Sequence, residues 1–397
     1  MATKSPKGFR FATVDAHFRK EDRPDLALIV SDTPAVAAGV FTTNKFHAAP
    51  VAVARENLAQ NGMAQAVVIN SGQANACTGK EGVLNCRATL AMLGETLGID
   101  AETILPASTG VIGPQLLMDK WQAAMAPLAD ALAANTGTPD DFANAIRTTD
   151  VFPKIAECSL EIQGVEVRLV GMAKGAGMIC PNMATMLSTV LCDANVAPDV
   201  WQKMFRDAVE LTFNRVTVDG DTSTNDTVFG LANGAAGVTV DSAEDIAMLT
   251  KALTDVLGKL AYMLVQDGEG ATKVIRINIT GAVSDAEAEQ AARIIGHSQL
   301  VKTAMYGRDA NWGRIVAALG RSECTFEADD VVVSLCGVEL FRNGQPNAAD
   351  FDDQLNGPLE GQDVTIDIEL GAGKSSYTLL ASDLTHDYVS CNADYRS

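Results

Sequence analysis

The stretch Lys174-Gly175-Ala176-Gly177-Met178-Ile179-Cys180-Pro181-Asn182-Met183-Ala184-Thr185 constrains this 397-residue chain more than any other. Glycines at 175 and 177 admit dihedrals closed to other residues, and Pro181 fixes one φ and removes a donor. An apolar run follows at once, with Met186, Leu187, Val190 and Leu191. The chain must therefore enter a buried segment straight from an irregular loop. Local chemistry leaves two readings open. One is a glycine-rich turn leading into a core strand. The other is a self-cleavage site, with the Ala184 carbonyl held in strain beside the Thr185 hydroxyl. A threonine hydroxyl alone is a poor nucleophile, but at a chain N-terminus it has its own base, the free α-amine. That amine titrates near pH ~8, which leaves an appreciable neutral fraction at neutral pH.

Around this stretch, strand-like and helix-like patterns alternate. Ala66 to Asn70 reads as a buried strand, and a helix follows from about Gly82 to Leu97 with Leu84, Leu90 and Leu93 apolar. Ala124-Leu128-Leu132 and Phe142-Ile146 suggest two more helices. Residues 160–170 alternate at period two around Gln163-Gly164, which predicts a hairpin feeding the Lys174 loop. Helical patterns recur near 198–213, 243–265 and 285–305, with a strand at Val274 to Ile279. Val364, Ile366, Ile368 and Leu370 then alternate into a glycine turn and a return strand, Tyr377 to Leu380. The turn, Gly371-Ala372-Gly373-Lys374-Ser375, imitates the end of a phosphate loop, but Ile368 stands where the first glycine is needed. It reads as a hairpin turn. The irregular order argues for an α/β protein of α+β layers, with helices packed about β-sheets, rather than a doubly wound sheet.

Composition narrows the function classes. A formal charge of -20 speaks against nucleic acid and anionic membranes as partners, though not against an anionic metabolite in a locally basic site. No run approaches the roughly 18 to 20 apolar residues of a membrane span, and the N-terminus lacks a signal core. A cytoplasmic location is the expectation. Eight scattered cysteines without a close pair read as small buried hydrophobes. Four dispersed histidines give no metal pattern, so neither metal nor cofactor is expected. Asp219-x-Asp221 with Asp226 hints at a cation loop but lacks the calcium-loop glycine and distal glutamate. It reads as a structural loop near the site.

Seven blocks, taken in order, carry a resemblance. They are Gly39-Val40-Phe41-Thr42-Thr43-Asn44, Asn70 to Ala76, Ser108 to Gly113, Lys174 to Leu187, Asp219 to Asp226, Asp267 to Lys273, and Asn392 to Ser397. Together they resemble, nearly end to end, the ornithine acetyltransferase (glutamate N-acetyltransferase) family of arginine biosynthesis. The resemblance implies that family's fold, with an N-terminal-nucleophile-like site. It also implies self-cleavage at Ala184-Thr185 into an α chain, 1–184, and a β chain, 185–397. Thr185 would carry acetyl from N2-acetylornithine to L-glutamate. The two chains would assemble as an α2β2 heterotetramer. A bifunctional enzyme that also accepts acetyl-CoA is the near alternative. An N-terminal-nucleophile aminopeptidase or amidase is more distant, and an amino-acid-binding protein would leave the loop unexplained.

Acyl transfer needs hydrogen-bond donors aimed at the developing oxyanion, each worth roughly 3 to 4 kcal/mol. Thr109-Gly110 offers a hydroxyl and an unhindered N–H, although a threonine before a glycine is also an ordinary cap. The resemblance assigns this pair to the oxyanion hole. It further implies substrate contacts from Thr148, Lys174, Thr185, Glu269, Asn392 and Ser397. By itself, Lys174 reads equally as a solvated lysine and Glu269 as a helix-terminal acid. The last residues read as a frayed tail.

Overall fold

The computed structural model describes residues 3–180, 186–347 and 351–394. One compact unit comprises residues 1–214 and 221–264, and a second comprises 215–220 and 265–395. The first is built on strands β1 (Phe9–Val14), β2 (Leu26–Phe41), β3 (Met63–Gln73), β4 (Ile104–Val111), β5 (Lys154–Ile162), β6 (Val165–Lys174), β7 (Leu187–Cys192) and β8 (Thr227–Ala232). They form one mixed sheet in the order β4-β3-β2-β8-β7-β6-β5, with β1 also paired to β2. The β3–β4 and β7–β8 pairs are parallel. Gln163 and Gly164 both have positive φ, 52° and 78°, and close the β5–β6 hairpin at the expected place. The strands β7 and β8 are buried at every position, Ser188, Thr189 and Thr227 included, as in strands covered on both faces.

Helices α1 (Ala49–Asn61), α2 (Gly79–Leu97), α3 (Met118–Ala134), α4 (Pro139–Ala145), α5 (Pro198–Leu211) and α6 (Ala243–Gln266) cover this sheet. Two strand glycines let helices approach. A Cβ at Gly230 would lie 2.5 Å from the Phe205 ring of α5, and Trp201 Nε1 donates to the Gly230 carbonyl at 3.1 Å. A Cβ at Gly171 would lie 2.7 Å from Leu260 Cδ1 of α6. The buried face of α2 is Gly82, Cys86, Thr89, Leu90, Leu93 and Gly94. Leu84 instead points outward, 66% exposed, contrary to the sequence expectation.

The second unit holds strands β9 (Val274–Ala282), β10 (Val332–Leu335), β11 (Val338–Arg342), β12 (Asp363–Glu369) and β13 (Ser375–Ser382), with short edge pieces Val216–Thr217 and Gln345–Pro346. Their order is β11-β10-β12-β9-β13 between those edges. The segment after β12 is therefore not a hairpin turn. Strand β9 sits between β12 and β13, parallel to one and antiparallel to the other. Residues 370–373 step across its end, where the Leu370 N–H donates to Thr280 O and those of Ala372 and Gly373 donate to Gly281 O. Only glycine fits at 373, since a Cβ would meet Ala282 O at 2.2 Å.

Helix α7 (Asp285–Gly296) packs on β9 and β13, followed by α8 (Gln299–Tyr306), α9 (Trp312–Leu319), α10 (Asp352–Glu360) and α11 (His386–Asp394). The single helix expected over 285–305 is two, because Ser298 accepts from Val301 N and starts a new helix. Of the cysteines, only Cys86, Cys180 and Cys192 are buried, and Cys77 is exposed. Small size and scattered placement did not distinguish core from surface. No described helix is long and apolar enough to cross a membrane.

Candidate active site

The parallel register of β3 and β4 brings two of the sequence blocks side by side, Ser71 against Thr109 and Gly72 against Gly110. Gly110 adopts φ 132°, and a Cβ there would fall 2.2 Å from the Gly72 carbonyl carbon. The glycine is thus required both by its dihedral and by the close strand approach. Across the sheet, Lys174 ends β6 and lies opposite Leu187, the first residue of β7. It is buried, not solvated, and its Nζ donates to Thr109 Oγ1 at 3.1 Å. An ammonium has donors only, so the threonine oxygen is the acceptor in this bond. Its own proton is left to donate elsewhere.

Asp150, which no sequence motif singles out, is bonded to the residue next to Lys174. Its side chain and that of Lys154 are both fully buried, with Nζ–Oδ1 at 2.7 Å. The same Oδ1 accepts from the Gly175 N–H at 2.6 Å, and Oδ2 accepts from the Thr148 N–H at 3.0 Å. Burial alone would push this carboxyl upward. The charges of Lys174 and Lys154 and the Gly175 N–H outweigh it and hold the group well below the ordinary carboxylate range. Asp150 therefore stays ionised. The only trace in sequence is an acid and a lysine four residues apart, which on a surface would mean little.

The Asp219–Asp226 block proves to be a clamp. Thr42 Oγ1 donates to Ser223 O at 2.7 Å, and Asn44 Nδ2 donates to Thr222 O at 2.9 Å. Asn225 Nδ2 reaches Ala74 O at 2.6 Å and Ser108 O at 2.8 Å, tying β8's approach to the ends of β3 and β4. Thr222 Oγ1 donates to Cys180 O at 3.1 Å, and the Thr227 N–H donates to Met186 O at 2.9 Å. Residues 222–227 thus hold the chain directly before and directly after 181–185. Ala184 and Thr185 themselves lie outside the described residues, as does Ser397.

In the second unit, Asn392 of α11 donates through Nδ2 to Glu269 Oε2 at 2.8 Å and to Tyr388 O at 3.0 Å. Of the tail, residues 392–394 belong to α11, and 395–397 lie outside the described residues. The Glu269 loop is pressed against α11, since a Cβ at Gly270, φ 66°, would meet Tyr388 N at 2.6 Å. Of the sequence-derived candidates, the structure joins Lys174 to Thr109 and Glu269 to Asn392. Thr148 is linked to Lys174 through Asp150.

The ArgJ family model matches residues 10–397. This chain belongs to the ArgJ family. A protein of Nitratidesulfovibrio vulgaris named arginine biosynthesis bifunctional protein ArgJ is 74% identical over 393 residues, covering 99% of both chains. The protein of that name from Geobacter sulfurreducens is 45% identical, over 98% of this chain and 99% of its own. A crystal structure of arginine biosynthesis bifunctional protein ArgJ from Bacillus halodurans, at 37% identity, covers 52% of this chain and 97% of its own with a TM-score of 0.49. As an ArgJ family member, the chain is an enzyme, an ArgJ-type acetyltransferase of arginine biosynthesis.

Proposed function

We propose that the chain cleaves itself between Ala184 and Thr185, and that Thr185 then transfers acetyl from N2-acetylornithine to L-glutamate. The observation that carries this reading is the Lys174–Thr109 hydrogen bond, which commits the Thr109 proton to another acceptor. In cleavage, Thr185 Oγ attacks the Ala184 carbonyl carbon and the C–N bond breaks, which frees the Thr185 amine and leaves an ester. Water resolves the ester to the Ala184 carboxylate and the Thr185 hydroxyl. In transfer, the same oxygen takes the acetyl group while its proton passes through the α-amine to the departing ornithine amine. The glutamate amine then attacks the ester and restores the hydroxyl. Each step builds an oxyanion, for which the Thr109 hydroxyl and the Gly110 N–H are the donors. Thr148, Lys174, Glu269, Asn392 and Ser397 hold the substrates, with Glu269 suited to an ammonium.

The relatives' name, bifunctional protein, supports a second donor for the same acetyl-threonine, namely acetyl-CoA. The cleaved chains remain together because β6 and β7 belong to one sheet, and we assign the assembly as α2β2. Mass spectrometry tests the proposal. Wild type should appear as two polypeptides, the second beginning at Thr185 and gaining one acetyl group from acetylornithine alone. Thr185→Ala should remain one inactive chain, and wild-type kinetics should be ping-pong. A cleaved Thr185→Ala protein, or intersecting kinetics with no acetylated chain, would refute the nucleophile. Donor consumption at the same rate without glutamate would make the enzyme a hydrolase.

A further inference from the structure

We propose that Asp150 is a positioning residue for acetyl transfer: it fixes the Lys174–Gly175 turn so that Lys174 occupies the Thr109 oxygen and directs the Thr109 proton at the oxyanion. The inference rests on the function proposed above. Geometry carries it. Asp150 Oδ1 accepts from the N–H of Gly175, the residue next to Lys174, at 2.6 Å, and Oδ2 accepts from the N–H of Thr148 at 3.0 Å. One buried carboxylate therefore holds two of the site's backbone segments, while Lys174 closes the link to Thr109 at 3.1 Å.

Lys154 makes this arrangement electrostatically useful. Two buried cations face one buried anion, so the cluster of Lys154, Asp150 and Lys174 keeps a net positive charge. If Asp150 faced Lys174 alone, the pair would be neutral and would offer the oxyanion little. Lys154 bonds Asp150 directly at 2.7 Å, while Lys174 reaches Thr109 Oγ1 at 3.1 Å. Two guanidiniums, Arg23 and Arg147, also lie near this carboxylate. Arg147 turns Nη1 to the carbonyls of Asp150 and Val151, and Arg23 turns Nη2 to those of Arg147 and Thr148. Both guanidiniums thus bind backbone oxygens and leave the carboxylate to the lysines.

The test is a double-mutant cycle on the mature enzyme with acetylornithine and glutamate, using Asp150→Asn, Lys174→Ala and the pair together. Asp150→Asn should lower kcat on the order of tenfold to a hundredfold, with KM changed far less, as expected when a transition-state donor is mis-aimed. It should add almost nothing to Lys174→Ala, because Asp150 acts through Lys174. Should Asp150→Asn fail to fold with Lys154 left unpaired, Asp150→Asn with Lys154→Met removes both partners and should show the same loss. Full kcat in either folded variant, or losses that multiply with Lys174→Ala, would overturn the proposal. A wild type that transfers no acetyl would instead sink the functional reading, and that control separates the two failures.

Discussion

Lys154 and Lys302 are both almost wholly buried, and the molecule treats them in opposite ways. In the first unit Lys154 is bonded to an ionised carboxylate, Asp150, which itself takes two backbone N–H groups. In the second unit Lys302 of α8 donates only to neutral oxygens, the carbonyls of Val218 and Ser382 at 2.6 and 2.5 Å and the Ser382 hydroxyl at 3.2 Å. Burial pushes Lys302 down to about 8, with Asp219 and Asp383 opposing at longer range. The first arrangement preserves charge beside the Thr109 end of β4. The second uses an ammonium as a tether joining the 215–220 segment to the end of β13, and its charge costs stability. A buried lysine thus marks candidate chemistry when an anion and a backbone frame accompany it, and structural tethering when only carbonyls do.

The largest effect should come from breaking the charged arrangement. Lys154→Met leaves Asp150 buried without the cation bonded to it, and removing one member of such a pair costs about 3 to 5 kcal/mol. Urea unfolding measures it, and acetyl transfer should fall with it as Asp150 is drawn to Lys174. The pH dependence has a definite sign. Because the Asp150 pKa is depressed by folding, its contribution is complete above the unfolded value of about 4 and is lost as pH drops through the folded value. The gap between wild type and Asp150→Asn should therefore be constant from pH 7 to 5 and shrink only in stronger acid. A gap that closes already at pH 6 would mean that Asp150 is not held as a carboxylate.

The tether should respond in the alkaline range instead. A lysine at about 8 when folded and near 10.5 when unfolded binds fewer protons in the native state between those values. Stability should therefore rise with pH across that window by about 3 kcal/mol relative to Lys302→Met, which has no such group. The substitution also leaves the Val218 and Ser382 carbonyls without their donor, so the variant should be less stable than wild type at pH 10. Parallel stability curves for the two proteins from pH 8 to 10 would show that the Lys302 charge is not what burial opposes.

The same contrast explains what could be read from the chain. Helices α5 and α6 and the β5–β6 hairpin were legible because one apolar face or one positive-φ pair determines each locally. The insertion of β9 between β12 and β13 was not, since two alternating strands joined by glycines look the same whether or not a third lies between them. The Thr109-Gly110 and Lys174 blocks were visible as motifs. Asp150 and Lys154 were not, because an acid and a lysine at spacing four are ordinary surface residues until folding strips their water. Asn225 was likewise visible only as part of a polar block. Its bonds to Ala74 O and Ser108 O span 151 and 117 residues, which no local pattern can report.

The smallest effect is expected at the Glu269–Asn392 contact, where Asn392 is exposed and one side-chain bond joins the pair. An exposed hydrogen bond is worth about 0.5 to 1.5 kcal/mol, so Asn392→Ala should raise KM only a few-fold. The rise should be similar for acetylornithine and glutamate if Asn392 holds the amino-acid end that both substrates share. Self-cleavage should be untouched, because it needs neither substrate. Glu269→Gln should separate the two substrates. A carboxylate that faces the ornithine ammonium would be missed by acetylornithine, whereas the glutamate side chain would be spared a like charge. KM should then rise for the donor and hold or fall for the acceptor. Unchanged values for both substrates in both variants would remove this pair from the substrate, and leave it as the bond that fastens α11 to the 267–273 loop.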